Sequence, residues 1–343
     1  AEALRHVFFA ERRAGRMLGA KAKAQKLERI SIVGAAADAV ALTREVLAAG
    51  YEVTLIDGDG DALAKGLESV AHGLASDLAA GKLSQTEYDA HWARVQPGLP
   101  GEDGDAADLV FVTGPYRHAD AKVPGIAATS GAPIVTLGRV GTGGQRALGL
   151  VMMPPTQNGR LAEMLVTPDS DAETVATLLA LLKRMRRSVI QGQGAGICAG
   201  LSSAFSKSLQ VLEDKHGPEP VLEVLTRWGM VRDRDRHSND PASLDLWSGL
   251  AAPMLGALAN AGLRLYGDEA ALRPSDIDLA MVLGLGFPRW GGGPMLWAAR
   301  RGLLVLRDDL MEWEKDDAAL WSPAPVLDGL IREGISLDAL NDG

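Results

Sequence analysis

The stretch that most constrains the fold runs from Ile30 to Asp59. Ile30, Ser31, Ile32 and Val33 read as a buried strand, and Gly34 to Ala39 as a tight turn opening an apolar helix that ends at Ala49 and Gly50. Glu52 to Ile56 then reads as a second strand, closed by Asp57. Strand, turn, helix, strand and terminal acid make the βαβ unit through which open α/β sheets hold a dinucleotide. The turn departs from the G-x-G-x-x-G fingerprint, because its three places hold Gly34, Ala36 and Ala39. The first glycine permits the tight turn, the second the approach of a pyrophosphate, and the third close helix–strand packing. Alanine is an accepted variant at the third place. At the second, Ala36 adds a methyl group where phosphates would lie, and Asp38 adds negative charge beside them. Asp57 stands where such units keep the acid that binds the adenosine ribose hydroxyls, and it suits equally a turn before Gly58.

The chain has 343 residues, enough for two domains, and its 47% apolar and 23% charged content is that of a globular protein with a sizeable core. A net charge of −9 argues against nucleic acid or an anionic membrane surface as partner, since both need clustered basic charge. One cysteine, Cys198, excludes an intrachain disulfide and any zinc site built on several cysteines. It fits a reducing compartment, and a cytoplasmic location is expected. No apolar run reaches the ~18–20 residues of a spanning helix, and no signal peptide is seen. The chain opens on Ala rather than Met, as a processed chain or a fragment would.

Residues 1–28 read as one helix, with Leu4, Val7, Phe8, Ala14 and Leu18 along one face. It is either a surface helix clamped on the next domain or a linker from a preceding one. A long helical stretch from Asp61 to Arg94 breaks near Gly81, and Ser84 with Glu87 makes a capping box for a second helix. Pro97 to Asp105 reads as a loop. Strands are expected at 108–112, 132–137, 147–152 and about Val189, and a helix from Glu173 to Arg187. The basic run at that helix end, Lys183 to Arg187, suits the helix dipole better than a phosphate site. Gly192, Gly194 and Gly196 mark a domain boundary, and everything beyond reads as helical. Two segments there follow one plan: a long helix, a break, and a helix running into glycine. Trp290, Trp297, Trp313 and Trp321 suit a helical core, or an interface.

Residues 276–294, Asp-Ile-Asp-Leu-Ala-Met-Val-Leu-Gly-Leu-Gly-Phe-Pro-Arg-Trp-Gly-Gly-Gly-Pro, closely resemble the C-terminal repeat of 3-hydroxyacyl-CoA dehydrogenases. It looks like the form found in multifunctional fatty-acid β-oxidation proteins, which fuse an enoyl-CoA hydratase domain to a dehydrogenase. The opening helix, from Ala3 to Arg12, is similar to the helix that joins the two parts in those proteins, and residues 321–327 resemble their last segment. The resemblance implies a linker helix over 1–28, preceded by a further domain. It implies an α/β Rossmann-type NAD-binding domain over 29–190 and an all-α domain over 191–343, made of two repeats at about 191–240 and 245–343.

That family oxidises a 3-hydroxyacyl-CoA by hydride transfer to NAD, with a histidine base held by a glutamate. The base opens a motif G-L-H-F-F-N-P, where this chain has Gly149-Leu150-Val151-Met152-Met153-Pro154-Pro155. Val151 therefore stands at the base position and cannot accept a proton. Glu163 keeps the orienter's place with nothing to orient, and by itself reads as a surface acid near a strand end. Gly200 occupies the place of the family's asparagine, and Ser130 retains one serine of its substrate-holding N-T-S-S motif. His118, after the strand ending at Val112, is the substitute base to watch, or an exposed loop histidine. No histidine pair has the i, i+4 spacing of a zinc site, and Cys198 reads as core.

Three functions are compatible with these substitutions. One is a pseudoenzyme that has lost most or all dehydrogenase activity and serves as a scaffold for a hydratase domain or a thiolase-like partner. The second is a working NAD-dependent oxidoreductase on an acyl-CoA, using His118 or another base. The third is a binding module for an acyl-CoA or nucleotide. A homo-oligomer or hetero-complex is expected in each case.

Overall fold

The computed structural model describes residues 1–14, 22–98, 107–117, 131–141, 144–154, 159–230 and 249–341. Eight strands form one sheet: β1 (Arg29–Val33), β2 (Glu52–Ile56), β3 (Val95–Gly98), β4 (Leu109–Val112), β5 (Ile134–Leu137), β6 (Ala147–Met152), β7 (Leu161–Leu165) and β8 (Ser188–Gly192). Their order is 3-2-1-4-5-6-7-8. The five pairings from β3 through β6 are parallel. Parallel strands are covered on both faces, so they read as continuous apolar runs. All four residues of β4, Leu-Val-Phe-Val, are buried. The order reverses between β1 and β4, and the crevice beyond their C-terminal ends is where open α/β sheets hold ligands.

Two strands were not expected from the sequence. The loop expected from Pro97 overlaps residues 95–98, which instead pair with β2. The sheet order makes β3 an edge strand, where a residue without an N–H is tolerated. Residues 161–165 carry a carboxylate in the middle of a short run, and all five are buried.

The chain divides into two compact units. One, the helical unit, comprises Ala1–Met17, Met153–Glu163 and Ser188–Gly343; the other, the sheet unit, comprises Leu18–Met152 and Met164–Arg187. Helix α1 (Glu2–Ala14) belongs to the first. In the sheet unit lie α2 (Ala37–Ala48), α3 (Gly60–Ala79), α4 (Gln85–Trp92) and α5 (Ala172–Arg184). The capping box forms at α4: the Glu87 N–H reaches Ser84 Oγ at 3.3 Å, and the Ser84 N–H reaches Glu87 Oε2 at 2.8 Å. The basic run after α5 does more than face a dipole. Arg187, buried, pairs with Glu45 through two bonds of 2.8 and 2.6 Å, and Arg184 Nε donates to the Ala49 carbonyl at 2.6 Å. Both arginines fasten the end of α5 to the end of α2.

The helical unit continues with α6 (Ile197–His216), α7 (Pro218–Trp228), α8 (Ala251–Gly267), α9 (Pro274–Leu279), α10 (Pro294–Arg301), α11 (Leu303–Trp313), α12 (Ala318–Trp321) and α13 (Pro325–Glu333). Helix α8 is its centre: α6, α10, α11, α12 and α13 all pack on it. Trp297 and Trp321 are buried in this unit, and Trp321 Nε1 donates to the Pro253 carbonyl at 2.9 Å. Helix α1 packs on α9 and β8. Its buried stripe is Ala3, Val7, Ala10 and Ala14, whereas Leu4 and Phe8 are 52% and 50% exposed. The expected apolar face was thus rotated from the real one, because small side chains let α1 approach closely. Residues 22–28 are not helical, in contrast to the single helix expected over 1–28. They lead into β1, and Asp108 accepts from the Glu28 and Arg29 N–H groups at 2.7 and 2.9 Å.

Candidate functional site

Within the sheet unit the turn after β1 forms a cradle. Gly34 has φ +105°, and its N–H donates to the Ile56 carbonyl at 2.8 Å. A Cβ at Gly34 would lie 2.5 Å from Thr113 Oγ1, so both backbone angle and space demand glycine. Thr113 Oγ1 in turn donates to the Val33 carbonyl at 2.9 Å, tying the ends of β1 and β4 together. Ala36 is the extended N-cap of α2 and makes no side-chain capping bond. Ala39 is fully buried, as the third fingerprint position requires for close packing.

The first turn of a helix leaves N–H groups without intrahelical partners at the positive end of the helix dipole, which together attract anions. Asp38 provides one from within the chain. Its Oδ2 accepts from the Gly114 N–H at 3.1 Å, and its Oδ1 from the Ala39 N–H at 3.0 Å.

Asp57, 7% exposed, closes β2. Its Oδ2 accepts from the Ala35 N–H at 3.0 Å. Its Oδ1 accepts from the Asp59 N–H at 3.0 Å and from the Tyr116 hydroxyl at 2.8 Å. The same hydroxyl accepts from the Gly58 N–H at 3.0 Å. Burial raises the phenol pKa of Tyr116, and the neighbouring Asp57 carboxylate adds to the rise. Gly34, Ala36, Ala39 and Asp57 are therefore gathered at one end of the sheet unit, joined by Asp38, Gly114 and Tyr116. Sequence reasoning passed over Tyr116 in favour of its neighbour His118. The missed signal was a hydroxyl just after β4, at the reversal of strand order. His118 and Ser130 lie outside the described residues.

In the helical unit, Glu163 is not a surface acid. It is 0% exposed in β7, and its carboxylate accepts from the N–H groups of Ile197 and Cys198, the latter at 3.0 Å. The N-cap residue of α6 is Gly196, which has no side chain to offer, so Glu163 caps that helix from a distant strand. Burial raises the Glu163 pKa, and the two backbone donors partly offset this. Burial and the adjacent Glu163 push the Cys198 thiol far up, which leaves it inert as a nucleophile. Gly200 lies on α6 where a Cβ would come 3.0 Å from Leu265 Cδ2 of α8. Its missing side chain serves helix packing. Val151, half-buried near the end of β6, carries no group that can accept a proton.

The long C-terminal signature is built from packing and capping. Asp278 on α9 accepts from the Met295 and Leu296 N–H groups at 2.7 and 3.1 Å, capping α10, and pairs with His6 Nε2 of α1 at 2.8 Å. A Cβ on Gly293, at φ +115°, would overlap that carboxylate. After a π-helical turn over Ala280–Gly284, a Cβ on Gly284 would lie 2.9 Å from Leu161. Among the described residues, no group of His, Cys, Asp and Glu side chains could hold a metal ion. No helix of the described residues is long and apolar enough to cross a membrane.

No family model matches the chain. A peroxisomal bifunctional enzyme of Danio rerio is 32% identical over 119 residues, covering 34% of this chain and 16% of that protein. Solved structures share the fold. A 3-hydroxybutyryl-CoA dehydrogenase from Escherichia coli superposes with a TM-score of 0.70 at 14% identity, over 90% of this chain and 100% of the other. The dehydrogenase part of multifunctional enzyme 1 from C. elegans superposes with a TM-score of 0.57 at 14% identity, over 94% and 96%. The chain therefore has the 3-hydroxyacyl-CoA dehydrogenase fold, and over about a third of its length it is similar in sequence to peroxisomal bifunctional and β-oxidation multifunctional proteins, of which it spans less than a fifth.

Proposed function

We propose that the chain is a dehydrogenase-type module of fatty-acid β-oxidation whose hydride-transfer activity is lost or strongly weakened. Its role is then that of a scaffold for a hydratase domain or a thiolase-like partner. The observation that carries this reading is Val151, an alkyl side chain at the position the resemblance gives to the base. Loss of a general base lowers a rate by about 10²–10⁴-fold. Glu163 supports the same reading, since its carboxylate is engaged by the α6 N-terminus. The acyl-CoA ligand, the two helical repeats and an oligomeric or hetero-complex state follow from the resemblance. The single cysteine, Cys198, forms no disulfide, in keeping with a reducing setting such as the cytoplasm.

NAD is the cofactor that the resemblance implies, and the cradle as folded does not fit it. Asp57 is engaged by three internal donors, Asp38 stands in the first turn of α2, and the methyl of Ala36 lies beside the turn. No reaction step is derived through that cofactor.

The test is NADH-dependent reduction of acetoacetyl-CoA, followed by NADH absorbance. The parent chain is expected to show no turnover. Val151→His with Gly200→Asn and Ala36→Gly, combined with Asp38→Asn and Tyr116→Ala to open the cradle, is expected to gain about 10²-fold or more over the parent background. Asn at 200 must displace Leu265, so circular dichroism accompanies the assay. Enzyme-like turnover by the parent overturns the reading. If that turnover collapsed in His118→Ala, it would identify a replacement base.

A further inference from the structure

We propose that Tyr116 is an internal ligand of the cradle, its phenol hydroxyl taking the place on Asp57 that a ribose hydroxyl would take. The inference deepens the reading above by naming how the cofactor site of that module is closed.

In a βαβ unit of this kind the acid at the end of the second strand recognises the nucleotide by accepting hydrogen bonds from ribose O–H groups. The Tyr116 hydroxyl offers the same chemistry, donating to Asp57 Oδ1 at 2.8 Å. It also satisfies the Gly58 N–H at 3.0 Å, so the bond is held from both sides. Together with the Ala35 and Asp59 N–H groups, Asp57 has three donors. An ionised carboxylate has roughly four acceptor sites, too few to add a ribose diol. The tyrosine ring is part of the closure as well. It packs on the cluster of Val33, Ile56, Val110 and Val112, at the ends of the strands where the order reverses. That crevice is the ligand position of open α/β sheets. Independently, Asp38 on the Gly114 N–H puts a negative charge at the phosphate end.

A nucleotide must therefore displace Tyr116, and its apparent affinity falls by the fraction of time the hydroxyl spends on Asp57. Two measurements on the full chain test this. The first is amide hydrogen exchange. Tyr116→Phe keeps the ring and removes the hydroxyl, and it is expected to speed exchange at Gly58 by ~10-fold while leaving Gly114 unchanged. Unchanged protection at Gly58 would sink the proposed bond. The second is NADH titration by fluorescence. Tyr116→Ala combined with Asp38→Asn is expected to bind ~10–100-fold more tightly than the parent. Equal affinity in parent and double variant overturns the proposal, and so does absence of binding by a double variant that remains folded. If the double variant does not fold, the comparison of Tyr116→Phe with the parent decides, with a gain of ~3-fold or more expected and no gain overturning it. Turnover separates the two readings. Binding without turnover supports both, whereas turnover in the opened variant refutes the loss of hydride transfer and leaves the internal ligand standing.

Discussion

Gly34 is held by two demands at once, a left-handed backbone angle and the nearness of Thr113. A side chain in that backbone region costs roughly 1–2 kcal/mol, and the contact adds to it. Gly34→Ala is therefore expected to lower stability by about 2 kcal/mol or more in urea unfolding, and an unchanged midpoint would mean that the turn relaxes freely. Glu163 makes the opposite point, because its chemistry is set by partners rather than by its own backbone. Removing its carboxylate leaves two buried N–H groups at the start of α6 without an acceptor. Each unsatisfied buried donor costs about 1–3 kcal/mol, so Glu163→Ala is expected to destabilise by about 2–4 kcal/mol. A loss below half a kilocalorie would show that water takes over the cap.

Helix α1 is fastened to α9 through His6 and Asp278, and this link is sensitive to pH. Burial raises the Asp278 pKa, with the His6 bond lowering it in part. For His6, burial opposes the charge, but the hydrogen bond and charge of Asp278 outweigh it and the pKa rises; Asp338 adds to the rise and Arg13 opposes it. Both groups hold their proton more tightly in the folded chain. The stability contributed by His6 is thus fully present below its ordinary value of 6.5 and is lost as pH rises through the raised value. Thermal unfolding of the parent is expected to weaken by about 1–2 kcal/mol as pH climbs above that range, whereas His6→Gln loses that component and keeps only the decline that Asp278 brings at lower pH. Parallel profiles for the two chains would remove His6 from the account.

At the scale of the molecule, the helical unit is assembled from three separate stretches, and its first is α1. A plain linker could be removed at no cost to the part it leads into. Here deletion of residues 1–14 would uncover the contacts of Ala3, Val7 and Ala10 and take from Asp278 its partner His6. Removing one partner of a buried pair typically costs 3–5 kcal/mol, and a loss of about that size is expected in urea unfolding. Equal midpoints for the full and shortened chains would return α1 to the role of a dispensable connector.

Much of the sheet was legible in the sequence. Parallel strands covered on both faces must be apolar throughout, so β1, β2, β4, β5 and β6 announce themselves. The cap of α4 and the glycine of the first turn were equally readable, because each depends on a few neighbouring residues. What only the tertiary structure decided is which distant groups meet. It turned a Pro-Gly segment into edge strand β3, and it placed Glu163 of a short strand on the N-terminus of α6. It brought Tyr116 to Asp57, 59 positions away, and His6 to Asp278, 272 positions away. Periodicity and composition report how a segment is buried. They carry no information about the partner across the chain, and it is the partner that determines whether a carboxylate orients a base, caps a helix or receives a ligand.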